Sequence, residues 1–457
     1  MLIMRRYQQR AVDHLVAAYA EQRLERRTFL RGAMAAGLSF SAASALLASC
    51  DGEQGAAPSA IDVLNVWSGE EQDSFRAVVA PFTRATGIAI NLEATRNLNA
   101  ALTIRVRGNN PPDVAVIPNP PQLRQLAKQN LLMRLDTFLD MAKMRRDYSS
   151  DWLELASYRG HLYALVYKVS NKGTIWYSPT RFREQGYPIP ATWEELLALS
   201  NEVARGGKYP WALGVENATA SGWPAADWVA EIYLKQFGPD LYDQWVNHQI
   251  PWTHSSVKHA FQLFGQIVGG VHYIAGGSQV ALNTSFDVAC YEPFSTPPRA
   301  YMDYLGDFAA GFITTRFPDA QPGVDFNFFA FPTLNPAFAG AVTGGADLVV
   351  AMRDNATVRK FMTYLSTANA QAIWVKRGGA TSVNQEVDLA DYPNDVARAS
   401  AHMLVSATKF RFGAGDLMPF PVQKVFWQKI QNFIANQSQL DSILKTIELT
   451  AQRAYSA

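Results

Sequence analysis

Ile61-Asp-Val-Leu-Asn-Val-Trp67 alternates apolar and polar side chains and runs directly into Ser68-Gly-Glu-Glu71. A period of two is what a half-buried strand requires. Ser-x-x-Glu is the pattern of a capping box, in which a hydroxyl and a carboxylate satisfy the free N–H groups of a helix start. Phe75, Val78, Val79 and Phe82 then recur at helical spacing, with Gly87 placed to end the helix. Further strands are predicted over Ile88–Leu92 and Asp113–Ile117, and Pro120-Pro121 opens a helix through Gln129. The resulting β-α-β-α-β order predicts an α/β domain on a mainly parallel sheet.

Downstream the alternation continues less regularly. His161–Lys168 and Gly173–Tyr177 read as adjacent strands, and Thr192-Trp-Glu-Glu195 is a second capping box opening a helix to about Val203. Trp211–Val215, Phe326–Phe331 and Asp347–Met352 are predicted strands. Helices are predicted over Pro224–Leu234, with proline in the first turn, and over Ala356–Leu365 and Ala368–Lys376. Most of the remainder is helical.

Upstream, Arg26-Arg27-Thr-Phe-Leu30 resembles a twin-arginine export signal, and Leu47-Ala-Ser-Cys50 resembles a lipobox whose cysteine is acylated. The run between them is near the minimum spanning length of about 18 residues, but Ala, Ser and Gly dominate it, against a membrane-spanning anchor. Residues 1–49 are therefore expected to be a lipoprotein signal, with a long n-region before Arg26. Residues 50–60 form a Gly/Ala/Ser/Pro tether. The expected location is the outer face of the cytoplasmic membrane. The leader holds seven Arg against Asp13, Glu21 and Glu25, which leaves 34 basic and 37 acidic residues beyond it. That mildly acidic remainder lacks the basic footprint of a nucleic-acid partner. With Cys50 lipidated, Cys290 stands alone and no intramolecular disulfide is possible.

Motifs of covalent and metal catalysis are missing: no G-x-S-x-G, P-loop, H-E-x-x-H, C-x-x-C or G-x-G-x-x-G occurs. Gly413-Ala-Gly415 runs into Asp-Leu-Met and is not such a loop. His248, His254 and His259 read as solvated rather than as ligands, so no metal or cofactor is expected. A glycosidase stays open, because its two carboxylates come from distant segments. Aromatic residues gather at element ends: Trp67, Trp176-Tyr177, Trp223 and Trp228. Sugars stack their C–H faces on such rings and bond their hydroxyls to Asp, Glu and Asn. Core packing is the simpler reading for any one ring. Trp67 and Trp223 stand apart because each directly precedes a helix start, where α/β folds hold ligands.

Leu64-Asn-Val-Trp-Ser-Gly-Glu-Glu71, Pro112-Asp-Val-Ala-Val116, Asn130-Leu-Leu-Met133, Tyr163-Ala-Leu-Val-Tyr-Lys168, Ile175-Trp-Tyr177, Pro190-Ala-Thr-Trp-Glu-Glu-Leu196 and Gly344-Gly-Ala-Asp347 form an ordered set. Over about Val63 to Asn384 the chain thereby resembles the family 1 extracellular solute-binding proteins, the receptors of carbohydrate ABC importers. Gly214-Val-Glu-Asn-Ala-Thr-Ala-Ser-Gly-Trp-Pro224 with Asp227-Trp228, and Trp245-Val-Asn-His-Gln-Ile-Pro251, are similar to the α-glucoside-binding branch. The crossing Tyr167-Lys168-Val-Ser-Asn-Lys172 is more polar than the family pattern.

The resemblance implies a two-lobed α/β fold of the periplasmic-binding-protein type (type II), closing on ligand between the lobes. Residues 61–168 and 329–377 would form the first lobe, and 169–328 and 378–457 the second. The implied ligand residues are Trp67, Glu70, Glu71, Trp176, Tyr177, Asn217, Trp223, Asp227 and Asp347. Trp67 and Trp223 would sandwich one pyranose, and Glu70, Asn217, Asp227 and Asp347 would bond its hydroxyls. Glu71 divides between that role and its capping box. The implied protein is a monomeric receptor, not an enzyme, with a sugar, a membrane permease and the lipid-anchored membrane as partners. The rivals are an exported glycoside-active enzyme and a same-fold receptor for glycerol phosphate or a glycosylated compatible solute. A phosphate would call for paired Arg or Lys, and the implied set has none.

Overall fold

In the computed structural model the described residues are 60–456, with Thr28, Arg31 and Met34 alone from the preceding segment. Arg26, Arg27 and Cys50, on which the export and lipidation readings rest, lie outside the described residues. The strands are β1 (Ala60–Asn65), β2 (Ala89–Ala94), β3 (Val114–Ile117), β4 (Ser157–Tyr158), β5 (His161–Leu162), β6 (Ala164–Asn171), β7 (Thr174–Tyr177), β8 (Trp211–Ala212), β9 (Met302–Tyr304), β10 (Asn327–Ala330), β11 (Ala341–Ala351) and β12 (Lys409–Phe412).

The first sheet runs β12-β11-β3-β1-β2, with β6 also paired to β11. β1 is parallel to β2 and β3, the arrangement predicted from the first strand-helix repeats. β11 is antiparallel to β3 and β6, which makes the sheet mixed. Every residue of β3 is buried, while β2 at the edge alternates exposed and half-buried positions. The second sheet runs β10-β7-β9-β8. Each sheet has its own core: Val63, Phe75, Val116 and Phe361 pack the first, and Trp211, Trp228, Tyr233 and Phe261 the second. These are the two lobes.

Lobe boundaries move from those the resemblance implied. Phe329 pairs with Ile175 in the second sheet, β12 joins the first, and β6 stays on the first sheet to Asn171. The cause is the length of β11. Its first residue, Ala341, packs in the second core, while Ala346–Ala351 lie in the first, so one strand serves both.

The Ser68 capping box does not form. The helix Glu70–Thr86 takes Gly69 as N-cap at φ 57°, with no side-chain bond, so Ser68 lies one residue too far out. Gly87, left-handed at φ 73°, ends this helix as predicted. The Thr192 box does form: Glu195 N–H donates to Thr192 Oγ1 at 3.2 Å, and Thr192 N–H donates back to Glu195 Oε2 at 3.2 Å. The helix opened at Trp223 runs beyond the predicted Leu234 to Val246, broken at Gly238 (φ 80°, ψ 174°). Cys290 is buried and free. No helix among the described residues is long and apolar enough to cross a membrane.

Candidate functional site

A cleft of about 2000 Å³ opens between the lobes. One wall comes from segments following β1 and β3, the carboxyl ends at which open α/β sheets hold ligands. The other wall comes from residues 217–223, 286–291, 308–315 and 416–431. Its floor is the crossing, with Lys168 and Ser170 from β6, Lys172 directly after it, and Gly345–Asp347 from β11.

Two lysines organise the floor. Lys168 is ion-paired with Glu71, and its ammonium lies 5.3 Å from the Phe308 ring centre and 5.5 Å from that of Trp374. Lys172 pairs with Asp227 at 2.9 Å and with Asp416 at 3.1 Å. Burial works against both ammonium groups, but the carboxylates outweigh it and hold both pKa values above the ordinary lysine range. Asp347 Oδ2 accepts from Trp67 Nε1 at 2.7 Å. Burial lifts Asp347 to about 6, against the pull of Lys168 and of the Trp67 bond. Glu70 Oε1 accepts from Ser74 Oγ at 2.8 Å, while its buried Oε2 has no hydrogen-bond partner. A Cβ at Gly311 would come within 2.7 Å of that oxygen, so glycine there makes room for the carboxyl. Burial raises the Glu70 pKa, Ser74 opposing it.

Of the residues implied by the resemblance, Glu70, Glu71, Asn217, Trp223 and Asp347 line the cleft together with the edge of Trp67. Asn217 Oδ1 is buried without a partner. Trp67 cannot form half of a sandwich here. It is 1% exposed, with Phe75 and Trp374 at centroid distances of 4.7 and 4.8 Å; it supports Asp347 instead. Trp176 and Tyr177 also leave the site. Both sit on β7, an interior strand of the second sheet, where Trp176 donates to Leu305 O and Tyr177 packs on Phe182 and Phe329. Asp227 lies behind Lys172 rather than on the cleft wall. Glu71 is committed to Lys168 rather than to a helix cap.

Lys168, Lys172, Asp416, Phe286 and Phe308 line the cleft and were not among the predicted ligand residues. The polar crossing was the sequence signal for the lysines. They add basic groups to an implied set that had none, but each is already paired with carboxylate, so neither of the two offers a free positive charge to a phosphate. Trp223 is half-buried and packs edge-on to Phe286 at 5.0 Å. At the cleft mouth Arg96 reaches Asp287 at 3.2 Å and Ser285 at 3.3 Å, and Thr219 Oγ1 donates to Asn97 Oδ1 at 2.6 Å. These bonds tie one rim to the other.

A model of bacterial extracellular solute-binding proteins matches residues 68–372. The osmoprotective compounds-binding protein GgtB of Synechocystis is 33% identical over 85% of this chain and 91% of its own length. The alpha-glucosides-binding periplasmic protein AglE of Rhizobium meliloti is 31% identical over 83% of this chain and 84% of its own. Among solved structures, the bacterial solute receptor AcbH superposes with a TM-score of 0.75 at 20% identity, over 87% of this chain and 99% of that one. A chitin oligosaccharide binding protein gives 0.76 at 16%, with the same coverage. At such identities these two likenesses speak to the fold.

Proposed function

The chain belongs to the bacterial extracellular solute-binding protein family, and from that premise we propose that it is the sugar receptor of an ABC importer, taking an α-glucoside or other oligosaccharide into its cleft and passing it to a membrane permease. It is a binding protein, not an enzyme. The observation that carries the sugar reading is Trp223, a half-buried ring in the same cleft as Glu70, Asp347 and Asp416. That pairing of a stacking face with hydroxyl acceptors suits a pyranose. The cleft volume of about 2000 Å³ exceeds the range of roughly 300–1,000 Å³ usual for small ligands, which favours more than one ring. The name of AglE supports an α-glucoside.

Calorimetric titration with trehalose, sucrose and maltose tests this: at least one is expected to bind, and silence from all three would sink the α-glucoside reading. Trp223→Ala is expected to weaken that binding by about 1–3 kcal/mol, the scale of a lost aromatic or charge-assisted contact. Native-like melting with unaltered affinity would return Trp223 to packing. A second reading draws on GgtB, whose name specifies osmoprotective compounds. Preference for a glycosylated compatible solute over every oligosaccharide tried would favour it.

The receptor works as a monomer outside the cytoplasm, exported through Arg26-Arg27 and held to the membrane by a lipid on Cys50. Cys50→Ala is expected to move the protein from the membrane to the soluble fraction, and Lys at both Arg26 and Arg27 to stop export. Unchanged fractionation of both variants would remove the lipoprotein and twin-arginine readings together.

A further inference from the structure

The short helix Ala414–Leu417, entered at Gly413 and fitting no phosphate or dinucleotide loop, carries Asp416 into the cleft beside Lys172. A lysine ammonium has three N–H donors. Asp227 approaches Lys172 Nζ with Oδ1 at 3.0 Å and Oδ2 at 2.9 Å. Two oxygens of one carboxylate subtend a far smaller angle than two tetrahedral N–H bonds, so together they take one donor. Asp416 Oδ2, at 3.1 Å, takes a second. No further oxygen partner of this ammonium is found among the described residues; it stands over one face of the Trp223 ring, 5.5 Å from its centre, which leaves the opposite face for a sugar. Asp416 Oδ1 accepts only a long bond of 3.3 Å from Gln423 Nε2, and an ionised carboxylate has about four acceptor positions.

The backbone around this pair is cleared for it. A Cβ at Gly413 would stand 3.1 Å from Asp227 Oδ1 and 3.3 Å from both Lys172 Nζ and Asp416 Oδ2. At Gly345 it would stand 3.2 Å from Lys172 Cε. Lys172 is 8% exposed, so the ammonium is held by buried carboxylate while one edge remains at the cleft wall.

We propose that Lys172 and Asp416 read a pair of neighbouring hydroxyls on the sugar ring stacked at Trp223. The spare Lys172 N–H donates to one hydroxyl oxygen, and Asp416 accepts the O–H of the next. This rests on the α-glucoside reading and specifies what the cleft selects. The lysine charge is already answered by Asp416 and Asp227, so the pair suits a neutral diol rather than a phosphate or carboxylate at that position.

The test is calorimetry on the full chain, using whichever of trehalose, sucrose and maltose binds, together with its monodeoxy derivatives. Asp416→Asn is expected to lose about tenfold in affinity or more, the scale of a hydrogen bond to a charged group. Removing one particular hydroxyl from the sugar should cost the parent protein about as much, yet cost the variant little more. With the parent protein alone, two adjacent hydroxyls should each matter. Binding by Asp416→Asn at parent affinity overturns the proposal. If that variant melts early, a deoxy series on the parent in which no two adjacent hydroxyls both matter overturns it equally. Failure of all three sugars to bind the parent overturns the reading beneath it, whereas parental affinity in the variant removes only the diol reader.

Discussion

Glu231→Ala is expected to lower the free energy of unfolding by about 3–5 kcal/mol, the scale for breaking a buried charge pair by removing one member. Glu231 is fully buried in the helix Trp223–Val246. Its Oε2 accepts from Thr343 N–H at 2.8 Å and from Thr343 Oγ1 at 2.5 Å. Its Oε1 lies 3.7 Å from Lys235 Nζ, itself buried and donating to Ala339 O at 3.2 Å and Ala341 O at 2.8 Å. Burial raises the Glu231 pKa, with Lys235 and Thr343 pulling the other way. Truncation leaves a buried ammonium without counter-charge and a β11 N–H without acceptor. Because β11 spans both cores, the damage falls where the lobes are joined. Glu231→Gln keeps an acceptor for Thr343 and should cost less. Urea titration decides it: a midpoint for the alanine variant within error of the parent would mean that Lys235 is satisfied by the two carbonyls alone.

The strands of the first lobe were legible because burial on one or both faces writes a period into the sequence, as in Ile61–Trp67 and Asp113–Ile117. Capping was legible only where the backbone agreed. Ser68-Gly-Glu-Glu71 and Thr192-Trp-Glu-Glu195 share one pattern, but Gly69 adopts φ 57° and starts its helix one residue late, so only Thr192 caps. The site was harder to read for a physical reason. A tryptophan at the end of a strand declares its size and not its direction: Trp223 faces the cleft, whereas Trp67 and Trp176 face cores. The lysines of the crossing were visible as an excess of polarity, yet their meaning lay in partners far along the chain. Asp227 is 55 residues from Lys172 and Asp416 is 244. Pairings at that separation are made by the fold, and no local spacing encodes them.

Asp307→Asn is expected to stabilise the protein relative to the parent increasingly as pH rises from 4 to 7, by roughly 2–3 kcal/mol over that span. Asp307 sits where three segments meet. Its N–H donates to Asn171 O at 2.9 Å, and its Oδ2 accepts from Thr381 Oγ1 and Ser400 Oγ, both at 2.9 Å. Oδ1 is buried with no partner. Burial lifts its pKa to about 6, with Thr381, Ser400, Asn171 and Lys168 pulling it down. An unfolded aspartate titrates near 3.9, so between about 4 and 6 the folded state holds a proton that the unfolded chain has released. The stability that proton represents is complete below about 4 and is lost as pH climbs through 6. Asparagine stands in for the protonated acid at every pH, keeping an acceptor for the two hydroxyls. Asp347, also lifted to about 6, shifts stability in the same direction, but it is present in both proteins and cancels in the comparison. Urea titrations of the pair across this pH range therefore isolate Asp307. A difference that stays constant with pH would show that the carboxylate ionises at this junction without cost.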